Sequence, residues 1–167
     1  VYIPDGKILD LISEIVRSFH AGARGRGLPL GNLTSQLFVN IYMNVFDQFM
    51  KHTIRAKYYI RYADDFVIFS PDKNHLSVLL PKIQRFLTVH LGLTLHPHKV
   101  SIETVASGVD FLGWIHFPDH RVLRTATRRR MMRRIEQHPT TEPIESYRGM
   151  LSHGNARKIE QELQNSY

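Results

Sequence analysis

Two adjacent aspartates, Asp64 and Asp65, stand between two short runs rich in aromatic and β-branched residues, 57–61 (KYYIR) and 66–70 (FVIFS). Such runs, separated by a few small or acidic residues, predict a β-hairpin whose bend is Tyr62, Ala63, Asp64 and Asp65. Adjacent carboxylates repel each other unless a proton or a cation intervenes. A divalent ion resolves this, because Mg²⁺ is commonly held by one or two carboxylates while substrate phosphates complete its shell. A pair of such ions, about 4 Å apart, stabilises the attacking and leaving oxygens of an in-line phosphoryl displacement. A solvated Asp-Asp turn is the plainer alternative, and taken alone an aspartate pair is more often that.

The surrounding sequence alternates helical and β-like segments. Over 5–20, Ile8, Leu11, Ile12, Ile15, Val16 and Phe19 recur at three- and four-residue steps, which predicts an amphipathic helix with Asp5 as its N-cap. Residues 21–31 hold four glycines and a proline and read as a loop. Asn32 or Thr34 then caps a long helix to about His52, with Leu33, Leu37, Phe38, Ile41, Val45, Phe46 and Phe49 forming a wide apolar stripe. A third helix is expected over 73–90, with Pro81 kinking it or marking a late start. Short β-like stretches follow at 93–95, 100–105, 109–117 and 121–123, the last two joined by Pro118-Asp119-His120. Beyond Thr125 the pattern is helical, with Met131, Met132 and Ile135 as packing residues, a break at His138-Pro139, and further helices over 142–153 and from Asn155 onward. This order describes an α+β protein: a helix-covered antiparallel sheet, then a small helical part, with a boundary between 123 and 127.

With 167 residues, the chain has room for one compact domain, or one domain plus part of another. A hydrophobic share of 43% and a charged share of 22% exclude wholesale disorder, collagen-like repeats and coiled coil. No apolar run approaches the roughly 18 residues of a membrane span, and the first ten residues lack the features of a secretory signal. The absence of cysteine excludes disulfides, thiolate metal sites and a cysteine nucleophile. The net charge of +7 is local: residues 121–134 carry seven arginines and no acid, and the other fifteen basic residues match the fifteen acids. Such a block suits either a footprint for phosphates or a solvated helix face.

One helix upstream of the aspartates lies 27–40 (GLPLGNLTSQLFVN), where a glycine loop opens a helix and lets a base or phosphate approach the backbone closely. Together with Tyr62-Ala63-Asp64-Asp65, these residues resemble reverse transcriptases, in which a glycine-loop helix and an aspartate-pair hairpin are consecutive motifs of the palm. Leu95-His96-Pro97-His98-Lys99 resembles the LHPxK stretch of the bacterial enzymes, and Val109-Asp110-Phe111-Leu112-Gly113-Trp114 their primer-grip hairpin. Within the superfamily, Gly31-Asn32-Leu33-Thr34-Ser35-Gln36 is similar to the GxxxSQ form of diversity-generating retroelements, whereas group II intron and retron enzymes usually end this motif in Ser-Pro; the resemblance is to that branch or to an unclassified group II intron- or retron-like one.

The resemblance spans nearly the whole chain. It implies a right-hand polymerase palm over residues 1–123 and the start of a helical thumb over 124–167. It further implies an RNA-directed DNA polymerase of the bacterial cytoplasm that joins dNTPs to a DNA primer on an RNA template, using two Mg²⁺ ions or Mn²⁺ in their place. An accessory protein of a retroelement is implied as a partner, and no membrane. On this basis Asp64 and Asp65 bind metal, with Asp64 acting more directly in catalysis, while Tyr62 and Ala63 lie near the primer end and the new base pair. Gly31, Asn32, Ser35 and Gln36 position template and incoming nucleotide, and Lys99 neutralises or protonates the departing pyrophosphate. Phe111, Leu112, Gly113 and Trp114 hold the primer, and Arg121, Arg124, Arg128, Arg129, Arg130, Arg133 and Arg134 contact the nucleic-acid backbone. Ser35 and Gln36 equally suit an ordinary first helical turn, Lys99 an exposed surface, and 111–114 a core strand. His96 and His98, two apart on an expected strand, share a face; with no third ligand evident, a structural role is expected.

The family's third carboxylate belongs to an FxxxD strand well upstream of the glycine loop. The upstream acids, Asp5, Asp10 and Glu14, fall at a helix start or on a helical face. The expectation is therefore a fragment that lacks the fingers and the first catalytic motif and does not polymerise DNA alone. A non-catalytic RNA- or DNA-binding module with the same fold is the alternative. A glycosidase-like pair is excluded, since adjacent residues cannot flank a scissile bond across about 5 Å or more.

Overall fold

The computed structural model describes residues 4–18, 33–137, 141–152, 154, 155 and 161. The chain divides into two compact units, Val1–Ala56 and Lys57–Tyr167.

In the first unit, α1 (Gly6–Arg17) begins as expected, with the Asp5 carboxylate accepting the Lys7 backbone N–H at 2.9 Å. Helix α2 (Leu33–Gln48) continues into a π-helical turn, Phe49–Thr53, so the predicted helix to His52 is present but changes its winding near the end. Asn32, one of the two expected caps, lies outside the described residues. The buried face of α2 differs from the expected stripe. Leu33, Leu37, Ile41 and Val45 recur every four residues and are all exposed, Leu33 at 83%. Met43, Phe46 and Met50 are buried along with Ser35. At 3.6 residues per turn the two sets lie roughly half a turn apart. The helix carries apolar residues on both sides, and periodicity alone does not say which side is covered.

The second unit opens with a hairpin, β1 (Tyr58–Tyr62) and β2 (Asp65–Phe69), antiparallel with Tyr58 opposite Phe69 and Tyr62 opposite Asp65. Helix α3 (Lys73–Leu91) follows, capped by Asp72, whose carboxylate accepts the Asn74 N–H at 2.8 Å. Pro81 lies inside this helix rather than at a late start. Leu79, Ile83, Leu87 and Leu91 recur at four-residue steps and are buried. Gly92 ends the helix in the left-handed conformation (φ 59°), which lets the next amide, that of Leu93, donate back to the Leu87 carbonyl at 3.0 Å.

Two expected strands, 93–95 and 100–105, do not form. The chain there makes short 3₁₀ turns at Pro97–Lys99 and Val105–Ser107. Pro97 has no N–H to give a ladder. His96 Nδ1 and Thr104 Oγ1 instead accept the amides of His98 and Ser107 at 3.3 Å, local bonds that compete with sheet pairing. His96 and His98 thus lie on a helical turn and not along one strand face.

The stretch 109–117 is broken in its middle, giving β3 (Val109–Phe111) and β4 (Trp114–His116), and β5 (Arg121–Leu123) completes a sheet of order β3-β4-β5. The strands therefore make two small antiparallel sheets instead of one, with β2 in contact with β3. Asp119 and His120 pair at 2.8 Å in the turn before β5, and that hydrogen bond holds the Asp119 carboxyl below its usual pKa. Helices α4 (Thr125–Gln137) and α5 (Thr141–Leu151) close the unit over a core of Trp114, Leu123, Met131, Ile135 and Leu151. The expected break at His138-Pro139 lies outside the described residues, as does nearly all of the segment after Asn155. Among the described residues, no helix is long and apolar enough to cross a membrane.

Candidate active site

The β1–β2 register leaves a two-residue turn, Ala63 and Asp64, closed by the Tyr62–Asp65 pair. Asp64 therefore sits on the turn and Asp65 on the first position of a strand, both exposed. Ala63 has φ 51° while Asp64 does not share the positive sign, the φ pattern of a type II′ turn. Glycine is the usual residue there, and a non-glycine side chain in this region costs about 1–3 kcal/mol. Across the bend, the Arg61 guanidinium donates from Nη1 to the Ala63 carbonyl oxygen at 2.7 Å. Tyr62 is 56% exposed beside it.

Asp64 and Asp65 border an open groove of about 970 Å³, whose walls also include Lys99, Phe111, Leu112, Gly113 and Arg124. Lys99 ends the 3₁₀ turn that His96 caps; its backbone N–H donates to the His96 carbonyl at 2.9 Å and its side chain is exposed. The second hairpin turn, Leu112 and Gly113, has positive φ at both residues, 54° and 82°, as a type I′ turn requires. Ala63 and Leu112 are two of the three described non-glycine residues with positive φ, so backbone strain gathers at the two hairpin bends.

The Leu112–Gly113 turn is fastened to the start of α4. The Arg124 N–H donates to the Gly113 carbonyl at 3.0 Å, and Arg124 Nε lies 3.1 Å from Asp110 Oδ2. A Cβ on Gly113 would stand 3.2 Å from Thr127 Oγ1, so the hairpin and helix approach where only glycine fits without displacement. His116 Nε2 reaches the Phe111 carbonyl at 3.2 Å. Trp114 is buried in the core, with the Arg121 guanidinium 5.3 Å from its ring centroid, while Leu112 is 46% exposed on the turn. Of the four residues 111–114, the turn pair and Phe111 line the groove and Trp114 anchors them from beneath.

The seven arginines separate into two groups. Arg121 and Arg124 are engaged with Trp114 and Asp110. Arg128, Arg129, Arg130, Arg133 and Arg134 are exposed on α4. Helical geometry sets Arg129, Arg130 and Arg133 on the side away from Met131 and Ile135, with Arg128 and Arg134 flanking the buried face. Like charges four residues apart, as in Arg129/Arg133 and Arg130/Arg134, each cost a helix about 0.2–0.5 kcal/mol. With no acid in its first turn and Glu136 as its one acid, the helix balances them only in part, and an external polyanion would supply the rest.

Ser35 and Gln36 stand on α2 in the first unit, Ser35 buried and Gln36 exposed, while Gly31 and Asn32 lie outside the described residues. Asp5, Asp10 and Glu14 cap or belong to α1, as expected from the sequence. Among the described residues no group of three or more His, Asp or Glu side chains is gathered as a metal site. Two exposed carboxylates facing an open groove do fit a hard, oxygen-seeking cation that completes its shell from phosphates. Sequence reasoning overlooked Arg61, Asp110 and Thr127. Arg61 and Asp110 each interrupt an apolar run, which is the signal that could have marked them.

Over residues 11–116 the chain matches the family described as Reverse transcriptase (RNA-dependent DNA polymerase). It belongs to that family, and the matched region contains both hairpin turns and Lys99. Protein YkfC of Escherichia coli (strain K12) is 26% identical over 174 residues, an alignment covering 82% of this chain and 44% of that protein. The chain thus spans less than half the length of this relative.

Proposed function

We propose that the chain is the palm and beginning thumb of an RNA-directed DNA polymerase, with the palm over residues 1–123 and the thumb over 124–167. The observation that carries this reading is the meeting of Asp64, Asp65, Lys99 and the Leu112–Gly113 turn around one groove, within a chain of the reverse transcriptase family. In this reading Asp64 and Asp65 hold Mg²⁺, which supplies charge neutralisation for in-line attack of a primer hydroxyl on a dNTP. Lys99 faces the departing pyrophosphate. Tyr62 and Ala63 lie at the primer end, and Phe111, Leu112 and Gly113 support the primer strand while Trp114 seats that hairpin on the core. The exposed arginines of α4 follow the duplex backbone, and Ser35 and Gln36, with Gly31 and Asn32, position the template and nucleotide.

The GxxxSQ form favours the diversity-generating branch or an unclassified group II intron- or retron-like relative, hence a bacterial cytoplasmic enzyme, with an accessory protein in the first case. The family's third metal-binding carboxylate has no counterpart in Asp5, Asp10 or Glu14. We expect the chain by itself to lack polymerase activity, because positioning and charge stabilisation both need that ligand. RNA-templated primer extension by the full-length protein tests the reading: activity that disappears in Asp64→Ala and in Asp65→Ala supports it, and activity that survives both overturns it. The basic face of α4 favours one second reading, a non-catalytic RNA- or DNA-binding module. Binding without extension in the full-length protein would select it.

A further inference from the structure

We propose that Arg61 is a positioning residue for the aspartate bend, holding the left-handed Ala63 turn through its bond to the Ala63 carbonyl oxygen and so fixing how the Asp64 and Asp65 carboxylates stand to each other. The proposal rests on the metal-binding role of the two aspartates put forward above. Three observations carry it. The bend uses alanine at a position with φ 51°, where a side chain works against the turn. The bond across it is short, 2.7 Å, and comes from a guanidinium, a donor that stays charged at any pH the protein meets. Arg61 belongs to β1 and is paired with Phe66 in the ladder, so its own backbone is held on a regular strand while its side chain reaches over the irregular part. A turn that sets a carboxylate pair needs a fixed backbone more than added charge, since each aspartate reaches a cation through only two side-chain torsions.

A second role for the same guanidinium, simple screening of the two carboxylates, makes the opposite prediction. If Arg61 acted by charge, removing it would tighten cation binding. If it acts by position, removing it weakens binding and slows the chemical step.

The test is a double-substitution cycle in the full-length protein, combining Arg61→Met with Ala63→Gly, since glycine adopts the turn without assistance. Mn²⁺ affinity, read by its electron paramagnetic resonance signal, and single-turnover primer extension are measured for all four proteins. We expect Arg61→Met to weaken Mn²⁺ binding and to slow single-turnover extension at saturating dNTP by about tenfold while the half-saturating dNTP concentration changes little, and to cost less than about threefold when Ala63→Gly is already present. An Arg61→Met penalty of equal size in both backgrounds, or tighter Mn²⁺ binding in Arg61→Met, overturns the proposal. Arg61→Gln, which keeps a donor on a shorter side chain, replaces Arg61→Met in the same cycle if the latter does not fold, with the same two outcomes deciding. If the unaltered protein extends no primer, the polymerase reading fails separately; the Mn²⁺ cycle and the amide exchange of Asp64 and Asp65, expected to quicken in Arg61→Met only where Ala63 is retained, still decide the role of Arg61.

Discussion

Arg124 shows how the surroundings of one side chain redefine its function. In the sequence it is one of seven arginines suited to phosphate, yet in the fold it is paired with Asp110 and its amide holds the Gly113 carbonyl. Both members of the ion pair are about half exposed, so the pair contributes modestly, about 0.2–1 kcal/mol. Asp110→Ala and Arg124→Ala should each lower stability by about that amount, and the double variant should cost less than the sum of the two; chemical denaturation of the three proteins measures this. Gly113→Ala should be more damaging, by about 1–2 kcal/mol, because it combines a left-handed φ with a close approach to Thr127. A denaturation midpoint unchanged in Gly113→Ala would contradict the packing described. Asp119 gives a pH effect of known sign. Its folded-state pKa is lowered by His120, so the pair's contribution is present above the ordinary carboxylate value and is lost as pH falls through the lowered one. Asp119→Asn should flatten the acid limb of the stability profile slightly.

At the scale of single elements, α4 carries opposite demands on its two faces. Met131 and Ile135 bury one side, and a ladder of arginines with Glu136 as its one acid occupies the other. Replacing Arg129, Arg130, Arg133 and Arg134 with Gln should leave the fold intact and leave up to four phosphates without a cationic partner. The slope of log affinity against log salt for duplex binding should then flatten by about 0.7–0.9 for each phosphate no longer neutralised. An unchanged slope would show that this face does not meet the nucleic acid. Elements with a strong local signal were legible in advance: Asp5 marks the start of α1, and the aromatic runs around Ala63 and Asp64 mark the hairpin. What escaped was decided by partners distant in sequence or by competing local bonds. The covered side of α2 is set by Met43, Phe46 and Met50 against an equally apolar row, a choice that no period can make. His96 and Thr104 turn two β-like stretches into caps and 3₁₀ turns. At the site, the aspartates and the 111–114 hairpin were visible as motifs, whereas the bonds that tie each bend down, from Arg61 and Arg124, depend on three-dimensional reach.

For the molecule as a whole, the second unit gathers two strained hairpin bends and a basic helix into the part that bears the aspartate pair. Family membership fixes the class, and the proposed reading assigns its chemistry to the groove. The proposed chemistry stands on Asp64 and Asp65 supplying metal ligands for nucleotidyl transfer. Its most direct measurement is dNTP incorporation on an RNA template by the full-length protein, with Mg²⁺ or Mn²⁺ present and then removed by chelation. Extension should require the cation and fall by at least about a thousandfold in Asp64→Asn, a side chain of the same size without the charge. Undiminished extension by Asp64→Asn, or extension that persists without any divalent ion, would contradict it.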